Sequence, residues 1–193
     1  MHALIKGRGR AYAILLGAVL CLLSSCQPTS FTSESDYLQW ALLPESGCAA
    51  QSARDGVQFQ LIYLPELASE ATSEYLRFAL FIRPENPDTD VLEAGFASAS
   101  GRDALLEQLR HDFAPHFSAQ WGDDRLVAPA LAHYENQRGL KNELLIHVHF
   151  PRQASPGQRL HIDFTDALFH TGHHRFEFDT TQLYGAPKLT PRT

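Results

Sequence analysis

Residues 143–150 read Glu-Leu-Leu-Ile-His-Val-His-Phe, and the order of those side chains decides how the chain folds. On a strand, successive side chains point to opposite faces. Leu144, Ile146, Val148 and Phe150 therefore share one face, and Leu145, His147 and His149 share the other. The division recurs downstream. Over residues 158–165, Leu160, Ile162 and Phe164 oppose Arg159, His161 and Asp163; over 174–179, Phe176 and Phe178 oppose Arg175, Glu177 and Asp179. Three segments with an oily face and a polar, imidazole-bearing face predict antiparallel strands, each with one side on a core.

Working outward, further strands are predicted at 57–64, where Val57, Phe59 and Leu61 alternate, at 75–82, at 91–98 and at 130–136. Prolines 44, 65 and 84 interrupt the apolar runs, since proline cannot donate to a ladder. The stretch 37–43 fits a short helix or a strand, and 45–56 and 119–128 read as loops. One clear helix is expected from Ser100, with Leu105, Leu106, Leu109 and Phe113 at helical spacing, ending before Pro115. From about Pro129 onward the order of strands suggests a β-meander. The expected class is mainly β with one helix, either an antiparallel β-sandwich or a helix-backed antiparallel sheet.

If the hairpin joining the segments around 147 and 161 is tight, residues whose numbers sum to 308 face each other. His147 then stands opposite His161, and directly opposed Cβ atoms lie about 4.5–5.5 Å apart. His147, His149 and His161 are thus candidate ligands for zinc or copper, with Asp163, Glu177, His170, His173 and His174 nearby in sequence. The competing expectation is a solvated polar face, or a contact surface that responds to pH through its imidazoles. Asp88 and Asp90 lie in a proline-rich turn that lacks the glycine and distal glutamate of a calcium loop.

Chemistry is otherwise sparse. No GxSxG elbow, phosphate-binding glycine loop, SxxK or HExxH pattern occurs, so no catalytic residue is assigned and the sequence favours a non-catalytic domain over an enzyme. A cell-wall or glycan hydrolase, with two carboxylates converging in a cleft, stands as a further alternative.

The first residues carry a different message. Lys6, Arg8 and Arg10 precede an apolar run from Ala11 to Leu23, which closes on Leu23-Ser24-Ser25-Cys26. A basic head, a short apolar core and small residues before a cut are the parts of an export signal, and the core is shorter than the roughly 20 residues a bilayer span needs. The closing tetrad resembles the lipobox of bacterial lipoproteins. That resemblance covers the export segment alone. It implies that residues 1–25 are removed and that Cys26 receives a diacylglycerol. It also implies that the new amino terminus takes a fatty acid such as palmitate. With Gln27 rather than Asp after the cysteine, it favours an outer membrane facing the periplasm where the host has one.

Residues 26–36 read as the lipidated cysteine and a flexible tether, 37–183 as one β-rich domain and 184–193 as a loosely ordered tail. Removing three of the 16 Lys and Arg leaves 13 against 22 Asp and Glu, a formal charge near −9. Such a surface repels phosphate backbones and argues against nucleic acid. The expected partners are membrane lipid, through Cys26, and an envelope protein. Cys48, the one thiol left after acylation of Cys26 and removal of Cys21, reads as a small buried hydrophobe.

Overall fold

The computed structural model describes residues 28–68, 73–91, 107, 113–135, 142–153 and 157–190. Residues 1–27, most of the helix expected from Ser100 and all but the first residue of the strand expected at 91–98 lie outside them. The strands are β1 (Ser30–Phe31), β2 (Ala49–Arg54), β3 (Val57–Tyr63), β4 (Tyr75–Pro84), β5 (Phe117–Trp121), β6 (Leu131–Glu135), β7 (Leu144–Pro151), β8 (Arg159–Asp166), β9 (Gly172–Asp179) and β10 (Lys188–Leu189). Helix α1 spans Glu34–Ala41 and a short α2 spans Thr180–Tyr184. Among the described residues no helix is long and apolar enough to cross a membrane.

Two antiparallel sheets carry the fold, one ordered β2-β3-β4-β7-β6 and the other β5-β8-β9, with β1 and β10 forming a small parallel pair. Their oily faces meet. Phe59 of β3 lies 6.0 Å from Phe164 of β8, and Phe78 of β4 lies 5.3 Å from Phe178 of β9, measured between ring centroids. Phe117 of β5 stacks on Phe164 at 4.6 Å. Of the two expected architectures, this is the sandwich. Burying each such ring is worth about 1.5–3 kcal/mol of transfer free energy, so the aromatic layer supplies much of the drive to fold.

The expected meander is corrected at its centre. β6 and β7 are neighbours, and so are β8 and β9, but β7 has β4 on one side and β6 on the other. A strand has only two edges. With both taken, the chain after β7 crosses to the opposite sheet, where β8 pairs with β5 and β9.

β2 lies where a loop was expected. Its residues are small and polar, and what makes it a strand is the turn that follows, Asp55-Gly56, with φ of 54° and 76°. Two consecutive positive φ values define the two-residue hairpin whose twist matches its strands, and Asp-Gly is a favoured pair for it. Arg54 accordingly pairs with Val57, and the ladder runs back to Ala49 opposite Ile62. β5 likewise replaces the start of an expected irregular connection, with Phe117, Ala119 and Trp121 buried on one side.

Residues from both ends of the described chain meet. Ser30 and Phe31 pair with Lys188 and Leu189, and the Thr190 amide donates to the Phe31 carbonyl at 2.7 Å. The Ser33 hydroxyl accepts from the Asp36 amide and caps α1, which resolves the ambiguous 37–43 segment as helix up to Ala41. Phe31 anchors this segment, since its ring packs 5.8 Å from Tyr37 and 5.6 Å from Trp40. Tyr37 in turn is fully buried and its hydroxyl donates to the Tyr63 carbonyl at 2.8 Å.

Cys48 is buried and free. Burial pushes its thiol up to about 11, although the nearby Tyr37 hydroxyl opposes the shift. A thiol held in that form is a poor nucleophile.

Candidate functional site

The imidazoles of the polar faces fall into two groups, because the strands that bear them belong to different sheets. On the outer face of the five-stranded sheet, one row runs Ile62, Ala79, His147, His133 from β3 to β6, and the next contains Arg77, His149 and Leu131. His147 Nε2 lies 2.5 Å from Glu135 Oε2, and its ring stacks on His133 at 5.3 Å. Burial, then Arg77, His147 and His133, hold the His149 imidazole below its usual range. Ile62, Ala79 and Leu145 on this face are buried, so it is far from uniformly wet.

His161 stands elsewhere. On the outer face of the three-stranded sheet it pairs across to Glu177, with Nε2 and Oε1 3.7 Å apart. Asp163 accepts from Arg175 at 2.7 and 3.0 Å, and His173 Nε2 lies 3.2 Å from the same carboxylate. Acidic and basic side chains thus face each other across adjacent strands, as cross-strand pairing favours. The expected apposition of His147 and His161 does not form. The neighbours of His147 are Ala79 and His133, and the His133 ring lies nearly parallel to it, at 23°, rather than aiming a nitrogen at a shared point. Among the described residues no group of three or more His, Cys, Asp or Glu side chains is placed to hold a metal ion. Asp88 and Asp90 sit in a turn that Asn86 organises, its side-chain oxygen accepting from the Asp88 amide. The buried carboxylates among the described residues are Glu66, Asp163 and Asp166. Each has its own partners, Glu66 being held by Arg152 and Lys188.

The constellation that sequence reasoning missed is buried where the edges of the two sheets meet. Asp166 ends β8, and the turn beyond it wraps the carboxylate: the amides of Leu168, Phe169 and Thr171 donate to it at 2.9, 3.1 and 3.0 Å. Thr171 Oγ1 adds a fourth bond at 2.7 Å and lies 2.8 Å from His174 Nε2. His174 Nδ1 lies 3.0 Å from Ser52 Oγ on β2. His174 is only 1% exposed and its ring rests 4.0 Å from that of Phe59.

The direction of these bonds follows from what each atom can do. A carboxylate ringed by amides only accepts, so the Thr171 hydroxyl donates to it. The same oxygen then accepts from Nε2–H of His174, which leaves Nδ1 bare to accept from the Ser52 hydroxyl. The tautomer is assigned by this network. The polar run is thus Ser52 to His174 to Thr171 to Asp166, with every proton pointing the same way. Arg54, two residues along β2, donates from Nη1 to the Thr171 carbonyl at 2.9 Å.

Burial first, then Arg54 and His173, lower the affinity of His174 for a proton, against the opposing pull of Asp166. The unfolded imidazole titrates near 6.5 while the folded one resists protonation, so the unfolded state binds more protons below that pH. Stability from His174, and from His149 in the same sense, is fully present above about pH 6.5 and is lost on acidification. Urea titrations at pH 7.5 and 5.5 should show a lower midpoint at 5.5 and a shallower pH dependence in His174→Gln. A midpoint that rises at pH 5.5 contradicts this.

No family model matches the chain, and no curated protein matches it. A solved structure of a protein of unknown function from Burkholderia pseudomallei is similar to it at 11% identity, covering 79% of this chain and 88% of that one, with a TM-score of 0.43.

Proposed function

We propose that the chain is a lipid-anchored cell-envelope protein whose β-sandwich serves as an accessory or interaction domain. The observation that carries this reading is Leu23-Ser24-Ser25-Cys26, set behind a basic head and a short apolar run. Acylated Cys26 holds the domain to the membrane, with the outer membrane of a diderm host as the favoured site and Gln27 the reason. Only a few residues separate Cys26 from β1, so the sandwich sits close to the lipid surface. The alternating charges on the outer face of β8 and β9 suit contact with another envelope protein, because complementary potentials select a partner and its orientation. Fractionation of cells carrying the wild-type and Cys26→Ala proteins tests the proposal. Wild-type protein in the membrane fraction and altered protein released or unprocessed is the expected result; a normally processed chain that stays with the membrane after the loss of Cys26 ends it.

A further inference from the structure

The run from Ser52 to Asp166 has the parts of an activated hydroxyl. A serine becomes nucleophilic when a base within hydrogen-bond reach takes its proton and a third group holds that base in the correct tautomer. Here the Ser52 hydroxyl points at an unprotonated Nδ1, 3.0 Å away. The other nitrogen of His174 is fixed by Thr171, and Thr171 by Asp166. Were His174 reversed, Nδ1–H would donate to Ser52 and no base would face the serine; the carboxylate at the far end forbids that arrangement.

The setting also differs from a sealed core. Ser52 lies on an edge strand of its sheet and is half-buried, between the exposed residues Gln51 and Ala53. Arg54 is exposed beside it, and its guanidinium is bonded to a carbonyl oxygen rather than to a carboxylate. A guanidinium left with its charge beside a reactive hydroxyl is an electrostatic handle for an anionic group.

We propose that Ser52 is an acyl-accepting nucleophile, with His174 as its general base, Thr171 and Asp166 as positioning residues, and an ester of a small anionic carboxylic acid as the class of substrate. In the first step a bond forms between Ser52 Oγ and the carbonyl carbon while the hydroxyl proton passes to His174 Nδ1. The imidazolium then gives that proton to the departing alkoxide as its bond to the carbonyl carbon breaks, which leaves acyl-Ser52 and a free alcohol. Water reverses the sequence, with His174 again taking and returning one proton, and releases the acid. Arg54 binds the anionic end of the acyl group. This inference is independent of whether Cys26 carries lipid.

The test uses the full protein with 4-nitrophenyl acetate and the anionic 4-nitrophenyl hydrogen succinate as probes. Release of nitrophenolate in step with one acyl group mapped to Ser52 by peptide mass spectrometry is expected, with the succinate ester reacting faster. Ser52→Ala should lower the rate about 100-fold or more, the lower end of what a positioned base contributes. Thr171→Val should slow acylation and change its pH profile, a readout that a purely structural threonine would leave alone. Arg54→Gln should remove the preference for the succinate ester, read as the ratio of the two ester rates measured on the same protein. Mapping in the wild-type protein needs no variant to fold. No adduct on Ser52, or an adduct on another residue with Ser52→Ala reacting as fast as wild type, overturns the proposal.

Discussion

Asp166→Ala is expected to lower the unfolding free energy by about 3–5 kcal/mol, the range for removing one partner from a buried charged network. The carboxylate accepts from the amides of Leu168, Phe169 and Thr171 and from the Thr171 hydroxyl, and it is 4% exposed. A methyl group there strands three amide donors in a turn with little access to water, each costing about 1–3 kcal/mol when unsatisfied. The damage spreads along the run. Thr171 loses the acceptor that orients its hydroxyl, and with it the group that holds His174 against Phe59 and Ser52. Asp166→Asn keeps the shape and one acceptor oxygen, so its loss should be roughly half as large. Urea denaturation at pH 7.5 measures both. A change below about 1 kcal/mol for Asp166→Ala would mean that water reaches the turn and that the network does not join the sheets.

Cys26→Ala has the largest expected effect of any single change on where the protein resides. Each methylene buried in a bilayer contributes about 0.8 kcal/mol, so one chain holds only reversibly while two or more hold firmly. Alanine offers no sulfur for the diacylglycerol. In this reading the sulfur is the point of attachment, so the whole of that attachment should be lost at once. Either the altered chain appears in the soluble fraction, or it accumulates uncut at a higher mass. The sandwich itself should keep its urea midpoint, since its described elements begin at Ser30. That contrast separates loss of anchoring from loss of folding.

Much of the sheet was legible because of periodicity. β7, β8 and β9 alternate so regularly that their buried faces can be named from the sequence, and Leu144, Ile146, Val148 and Phe150 are indeed in the core. β2 was hidden because Ala49-Ala50-Gln51-Ser52-Ala53-Arg54 carries no oily face; the Asp55-Gly56 pair was the available signal, and it sits in plain view before Val57. Which strands pair is a different matter. Alternation says what faces a strand has and nothing about its neighbours, so the hairpin drawn from His147 to His161 was reasonable in register and wrong in topology. β4, more than sixty residues upstream, takes the edge that β8 was expected to fill.

The polar run was illegible for the same reason. Asp166 ends β8, Thr171 lies in the turn beyond it and His174 is near the start of β9, but a turn rich in Asp, Thr, Gly and His reads as solvent-facing. Its far end is Ser52 on the other sheet, 122 residues from His174 in sequence. The phenylalanines gave the better clue: Phe59 and Phe164 flank His174, and an imidazole amid such neighbours must find partners for both nitrogens.

The most direct measurement is the mass of the amino-terminal peptide of the protein purified from its own cells. The account predicts a mature chain that begins at Cys26 and carries a diacylglycerol thioether with an added acyl chain. An unmodified Cys26 thiol, or a peptide that still contains Lys6, Arg8 and Arg10, would contradict it.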